Sequence, residues 1–79
     1  MDAYVVEITD FNDGTKRKLG IYTFEDRNSA IASFHKKHGA AMDASNVERE
    51  LTLVVLADGS VIKDELFVRE RNEEVQSNG

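Results

Sequence analysis

The sequence predicts an α+β fold of order ββαββ, a four-stranded, mostly antiparallel sheet with one helix packed on one face. Three observations carry this. Asp13-Gly14 and Asp58-Gly59 each divide a pair of apolar, alternating runs, as the turn of a β-hairpin does. Between the two pairs lies one stretch, residues 26–42, whose apolar positions repeat at helical spacing. The chain contains no proline, so no strand is interrupted.

The first hairpin spans Tyr4 to Phe24. A tight type I′ turn at Asp13-Gly14 sets Tyr4 opposite Thr23, Val6 opposite Ile21 and Ile8 opposite Leu19. Those residues make an almost wholly apolar face. The reverse carries Val5, Glu7, Thr9, Phe11, Lys16, Lys18, Gly20, Tyr22 and Phe24.

In the helix, Ala30, Ile31, Phe34, His38 and Ala41 fall in one arc, with His35 and Met42 at its edge. Asp26 or Asn28 can cap the N-terminus by accepting from an orphan N–H. Phe24 is placed to staple onto the first turns. Glu25 and Asp26 complement the positive end of the dipole, and Lys36, Lys37 and His38 the other end. Gly39 reads either as the residue that ends the helix or as an interior glycine in a helix reaching Met42. The expected helix runs from Asp26 to about His38. A buried neutral His38, hydrogen-bonded to the sheet or to the loop after the helix, accounts for a polar side chain in mid-stripe.

The second hairpin spans Glu50 to Val68. The same turn logic pairs Val55 with Ile62, Leu53 with Asp64 and Leu51 with Leu66, with Asp64 a misfit on an apolar face. Strand orders 2-1-3-4 and 1-2-4-3 both keep all neighbours antiparallel. One domain is expected at 1–69. Arg69 to Gly79 is charged, then small and polar, and 70–79 is expected to be a disordered acidic and polar tail.

One helix covers one face. The helix is expected over Tyr4, Val6, Ile8, Leu19, Ile21, Leu51, Leu53, Val55, Ile62 and Leu66. The far face then carries Val5, Tyr22, Val54, Leu56, Val61 and Phe67, mixed with charged residues and threonine. That is more apolar than a solvated sheet face needs to be, so these six residues are the expected interface.

Composition narrows the function. The chain has 79 residues, a net charge of −5 and no cysteine. That size supports one small core, and the absence of thiols excludes disulfides and thiolate metal sites. No apolar run is long enough to span a membrane, and a cytoplasmic location is expected. Net acidity opposes non-specific nucleic-acid binding, although Lys16, Arg17 and Lys18 with Tyr22 offer a small basic and aromatic patch. His35 and His38 lack further ligands at a metal-binding spacing. Asp10 to Thr15 resembles the start of a calcium loop but puts glycine fifth rather than sixth. Asp64, Glu65, Glu48 and Glu50 supply carboxylates with no pair evident in a cleft. No nucleophile motif or phosphate loop is present. The chain is therefore expected to be neither an enzyme nor a holder of metal or cofactor.

The segment Ala30-Ile31-x-x-Phe34-His35-x-x-x-Gly39-x-x-Met42, with Tyr4-Val5-Val6-Glu7-Ile8 and Lys18-Leu19-Gly20, is similar to short uncharacterised proteins of Gram-positive bacteria and their phages or mobile elements. The resemblance covers most of residues 3–69. It implies an accessory gene product and no activity, and it admits a phage inhibitor that binds a host protein. The expected function is a non-enzymatic protein-interaction module, self-associating as a dimer. The alternatives are an acidic inhibitor of a basic host protein and a small nucleic-acid binder.

Overall fold

The computed structural model describes residues 2–70. β1 (Ala3–Phe11), β2 (Lys18–Phe24), α1 (Arg27–Asp43), β3 (Val47–Leu56) and β4 (Val61–Val68) follow one another as ββαββ. The strands form one antiparallel sheet of order β2-β1-β3-β4, one of the two orders the sequence allows. Among the described residues, no helix is long and apolar enough to cross a membrane. The tail expected at 70–79 lies, Glu70 apart, outside the described residues. Arg69 is not part of a loose tail. Its guanidinium donates to the carbonyls of Met42 (3.0 Å), Ala44 (2.9 Å) and Val47 (2.7 Å), tying the end of β4 to the end of α1.

Both hairpins keep the expected register with different turns. Tyr4 faces Thr23, Val6 faces Ile21 and Ile8 faces Leu19. Among the described residues no non-glycine residue has positive φ, so neither turn is type I′. In the second hairpin the Gly59 N–H donates to Leu56 O at 2.9 Å and the Leu56 N–H to Ser60 O at 2.8 Å. Gly59, at φ 93°, occupies the left-handed position of a three-residue turn with a glycine bulge. That turn brings Val55 opposite Val61, not Ile62. A second irregularity at Ile62 restores Leu53–Asp64 and Leu51–Leu66. The first turn is pinned from outside. Asn46 donates to the Asp13 carboxylate (3.1 Å), and Asn12 donates through its backbone to Asn46 O (2.9 Å) and through its side chain to Ser45 O (3.1 Å).

Asp26 caps α1, its carboxylate accepting from the Ser29 N–H (2.7 Å) and hydroxyl (3.2 Å). The helix is longer than the expected end at His38. It passes through Gly39 to Asp43 because Ala40, Ala41 and Met42 are good helix formers and Ala41 is buried. Lys36, Lys37 and His38 consequently sit in mid-helix instead of at the C-terminal pole.

The largest departure from expectation is the face the helix covers. Its buried residues Ala30, Phe34, His38 and Ala41 are the expected stripe. They rest on the reverse of the sheet from the one expected. Phe34 and Ala30 cluster with Ala3, Val5 and Val54, and Tyr22, Phe24, Ile31 and Leu56 pack around them. Of the six expected interface residues, Val5 and Val54 have no exposure at all. Tyr22 and Leu56 are half-buried against that cluster, and Phe67 is half-buried beneath the Arg69 guanidinium. Val61 alone is exposed. The physical reason is His38. A polar side chain in the buried stripe needs polar partners, and the Val5/Val54 side of the central strands sets Thr52 beneath it, with Glu50 and Thr9 alongside.

Gly39 provides a test of the helix. An added Cβ meets no atom within 4 Å. Gly39→Ala should therefore raise stability by about 0.5–1 kcal/mol, read as a higher urea midpoint at fixed chain concentration.

Candidate interaction face

The register lays the helix-free face out in rows across β2-β1-β3-β4. The rows read Thr23-Tyr4-Val55-Val61, then Ile21-Val6-Leu53-Asp64, then Leu19-Ile8-Leu51-Leu66. A last row holds Asp10, Arg49 and Val68, with Arg17 beside Asp10 beyond the end of β2. Tyr4, Val6, Ile8, Leu19, Ile21, Leu51, Leu53, Val55 and Leu66 are residues expected in the core, whereas Val61 is one expected at the interface. Leu19 is 64% exposed, Ile21 61%, Val68 56% and Leu66 52%. At strand spacings of about 4.8 Å and a rise of about 3.4 Å per residue, four strands by seven residues cover roughly 450 Å² in projection. The accessible area of such a corrugated face is larger. The projected area alone falls within the roughly 300–600 Å² of the largest patch on a typical monomer, a patch that is often functional.

The charged row is ordered. Arg17 grips Asp10 with two hydrogen bonds, Nε to Oδ1 at 2.6 Å and Nη2 to Oδ2 at 3.1 Å. That hydrogen bond, and then the charges of Arg17 and Arg49, hold the Asp10 carboxyl below its usual range. Ile8, Asp10, Arg17, Arg49 and Leu51 line one shallow depression of about 110 Å³, which places all five on this face.

The covered face is polar at its centre. Glu7, Thr9, His38, Glu50 and Thr52 are all buried. Antiparallel pairing sets Glu7 beside Thr52 and Thr9 beside Glu50. Thr9 donates its hydroxyl to Glu50 Oε1, and Thr52 donates to Glu50 Oε2 at 3.0 Å. The single proton of the Thr52 hydroxyl is then used. The 2.9 Å contact between Thr52 Oγ1 and His38 Nδ1 therefore requires the histidine to donate, which places a proton on Nδ1. Glu7 takes Tyr22 OH and Lys18 Nζ, each at 3.4 Å. Lys37 lies 3.7 Å above the Tyr22 ring. Gly20 makes room for this, because a Cβ there would come within 2.6 Å of the Tyr22 hydroxyl. No buried side-chain nitrogen or oxygen among the described residues lacks a partner.

Burial, followed by the hydrogen bond with Glu7 and its charge, pushes the Glu50 carboxyl up to about 7, against the pull of the two threonine hydroxyls. Glu7 and Glu50 are 43 positions apart, and sequence reading found no such pair. The available signal was His38 in mid-stripe, which called for a hydroxyl or carboxylate on the face beneath it. A recess of about 330 Å³ opens beside the cluster between Glu7, Lys18, Lys37, Asn46 and the end of the helix. His35 stands edge-on to Phe34, with ring centroids 5.1 Å apart, and faces a recess along β4, away from His38's partners. Among the described residues no three His, Asp or Glu side chains group to hold a metal ion. Of the basic run, Arg17 is paired with Asp10 and Lys18 with Glu7.

The raised Glu50 carboxyl makes a signed prediction. Unfolding returns this group to its ordinary value near 4.5, so the folded state binds the extra proton between that value and about 7. The stabilising contribution is fully present below about 4.5 and is lost as pH rises through 7. Urea midpoints should fall between pH 5 and pH 8 in the native chain. Glu50→Gln, neutral throughout, should flatten that fall, and an equal slope in the variant would remove the assignment.

No protein-family model, curated protein or solved structure matches this chain, so its functional reading rests on the geometry of the face.

Proposed function

We propose that this chain is a cytoplasmic, non-enzymatic interaction module that functions as a homodimer, its helix-free sheet face buried against a second copy. The observation that carries this is the distribution of apolar bulk. Among the described residues, three of the seven buried hydrophobic residues are alanines, Ala3, Ala30 and Ala41. The larger side chains Leu19, Ile21, Leu51, Leu53 and Leu66, with Tyr4, Val6, Ile8 and Val55, occupy the face the helix leaves bare. A second copy is the occupant such a face fits best. An apolar surface is complementary to itself under a two-fold axis, and two such sheets stack about 10 Å apart with their side chains interdigitated. The result has four layers, helix, sheet, sheet and helix.

The polar cluster supports the non-enzymatic part of the reading. Its hydroxyls, imidazole and carboxylates are used on one another, which makes it a device for seating the helix.

Light scattering behind a sizing column tests the dimer. Across a dilution series the mass should stay near twice the 8.9 kDa of one chain. Leu53→Glu, at the centre of the face, should give a monomer with the native far-ultraviolet dichroism, while Lys36→Glu on the exposed side of α1 leaves the dimer intact. A wild-type mass of one chain at every concentration, or a dimer that survives Leu53→Glu, overturns the proposal.

A further inference from the structure

We infer that the outer edge of β2 takes an extended acidic segment of a partner protein as a fifth, antiparallel strand. This goes beyond the homodimer proposed above and does not depend on it, because stacking through the broad face leaves the edges of the sheet open.

The backbone fixes which groups of β2 face outward. Successive residues of a strand turn their N–H and C=O to opposite edges. Phe24 O accepts from the Asp2 N–H at 3.0 Å, so Phe24 faces β1. The Ala57 N–H donates to Asp2 O at 3.0 Å, which turns the even-numbered residues of β1 toward β3 and its odd-numbered residues toward β2. Val5 lies opposite Tyr22 and Glu7 opposite Gly20, so both observations set Lys18, Gly20, Tyr22 and Phe24 toward β1. Leu19, Ile21 and Thr23 therefore aim their N–H and C=O outward, and no strand among the described residues pairs with them.

The two outer strands are guarded differently. Exposed edges are ordinarily blunted by proline, by a bulge or by charge. β4 has the irregularity at Ile62 and the charged run Lys63-Asp64-Glu65. β2 has neither. Its pairing with β1 is regular from Lys18 to Phe24, and Leu19 to Phe24 holds no charge and no proline. An unguarded edge of this kind is a template for a strand from another chain.

Charge selects that strand. In a chain of net charge −5, the helix side of this edge is basic. Lys18 stands on β2 itself, and Lys37 lies 3.7 Å above the Tyr22 ring. Glu7, paired with Lys18 at 3.4 Å, offsets one of the two charges. Both lysines border the recess of about 330 Å³, which Phe11, Ala41 and Val47 line with apolar surface. A second β2 brings two more lysines to the same side, which opposes self-pairing. A segment alternating acidic and apolar residues suits both sides of the edge. Its carboxylates lie beside Lys18 and Lys37, and its apolar side chains lie beside the exposed Leu19 and Ile21. Main-chain hydrogen bonds supply affinity, and the alternation supplies specificity.

The probe is a capped seven-residue peptide alternating glutamate with valine, added to the isotope-labelled full chain and followed by amide NMR. The amides of Leu19, Ile21 and Thr23 should shift and gain protection from exchange. The same peptide with lysine in place of glutamate should bind roughly tenfold or more weakly. In the antiparallel pairing the valine nitrogens face β2, so N-methylation at the valines should abolish binding. Ile21→Pro removes one outward N–H and no bond to β1, and should weaken binding roughly tenfold. If that variant fails the dichroism check for folding, the methylated peptide decides on the native chain. No binding at millimolar peptide, equal binding of the lysine or valine-methylated peptide, or shifts centred on β4 overturn the inference. Protection of the three amides in the chain without peptide, the mark of a second copy on the edge, also overturns it.

Discussion

Phe34 seated over Val5 and Val54 is the contact on which the rest of the molecule depends. Those valines are neighbours across β1 and β3, the two central strands. Once the ring lies there, the helix axis, its height above the sheet and the side it occupies are all set. One helical turn on, His38 stacks on the same ring, with centroids 6.2 Å apart, and reaches Thr52. Alanines at positions 30 and 41 keep the helix close enough for that reach. A rotation of α1 by one residue would move His38 off its hydroxyl and leave the buried imidazole Nδ1–H without a partner, at a cost of about 1–3 kcal/mol. The polar cluster thus contributes specificity of seating more than net stability.

That trade has a counterpart on the other side of the sheet. The covered face carries alanines, valines, aromatic rings and a polar centre, and most of the leucines and isoleucines lie opposite. A chain built this way has a modest core of its own. In the proposed assembly, association and folding are linked, because whatever binds only the folded state stabilises it by mass action.

Much of the architecture was legible in the sequence. The order of elements, the registers within both hairpins, the Asp26 cap and the buried stripe of α1 all follow from local pattern. The missing details depended on interactions between distant residues. The turns differ from type I′ because neither Asp13 nor Asp58 adopts positive φ, and the register survives in the second hairpin only because the irregularity at Ile62 compensates for an extra turn residue. Gly39 could equally have ended the helix, and the buried Ala41 beyond it decides the matter. The covered face was misjudged by weighing apolar content alone. Apolar content favours the side of Tyr4, Val6 and Ile8 over the side of Val5 and Glu7, and that preference points to the face the helix leaves bare. The discriminating residue was the polar one, His38.

The irregularity at Ile62 has a further consequence for how copies of this chain can join. β4 is an outer strand of the sheet, with backbone groups on one side that no strand among the described residues pairs. Its entry is bent by the displaced residue, and its middle is the charged run Lys63-Asp64-Glu65. A bent, charged border is a poor template for another strand, so side-by-side joining into an extended ribbon is disfavoured. Stacking through the broad face uses itself up in a single step, since the second copy covers what the first exposed. In the proposed dimer, growth therefore terminates at a finite particle, and the chain carries a large apolar surface without becoming a fibre.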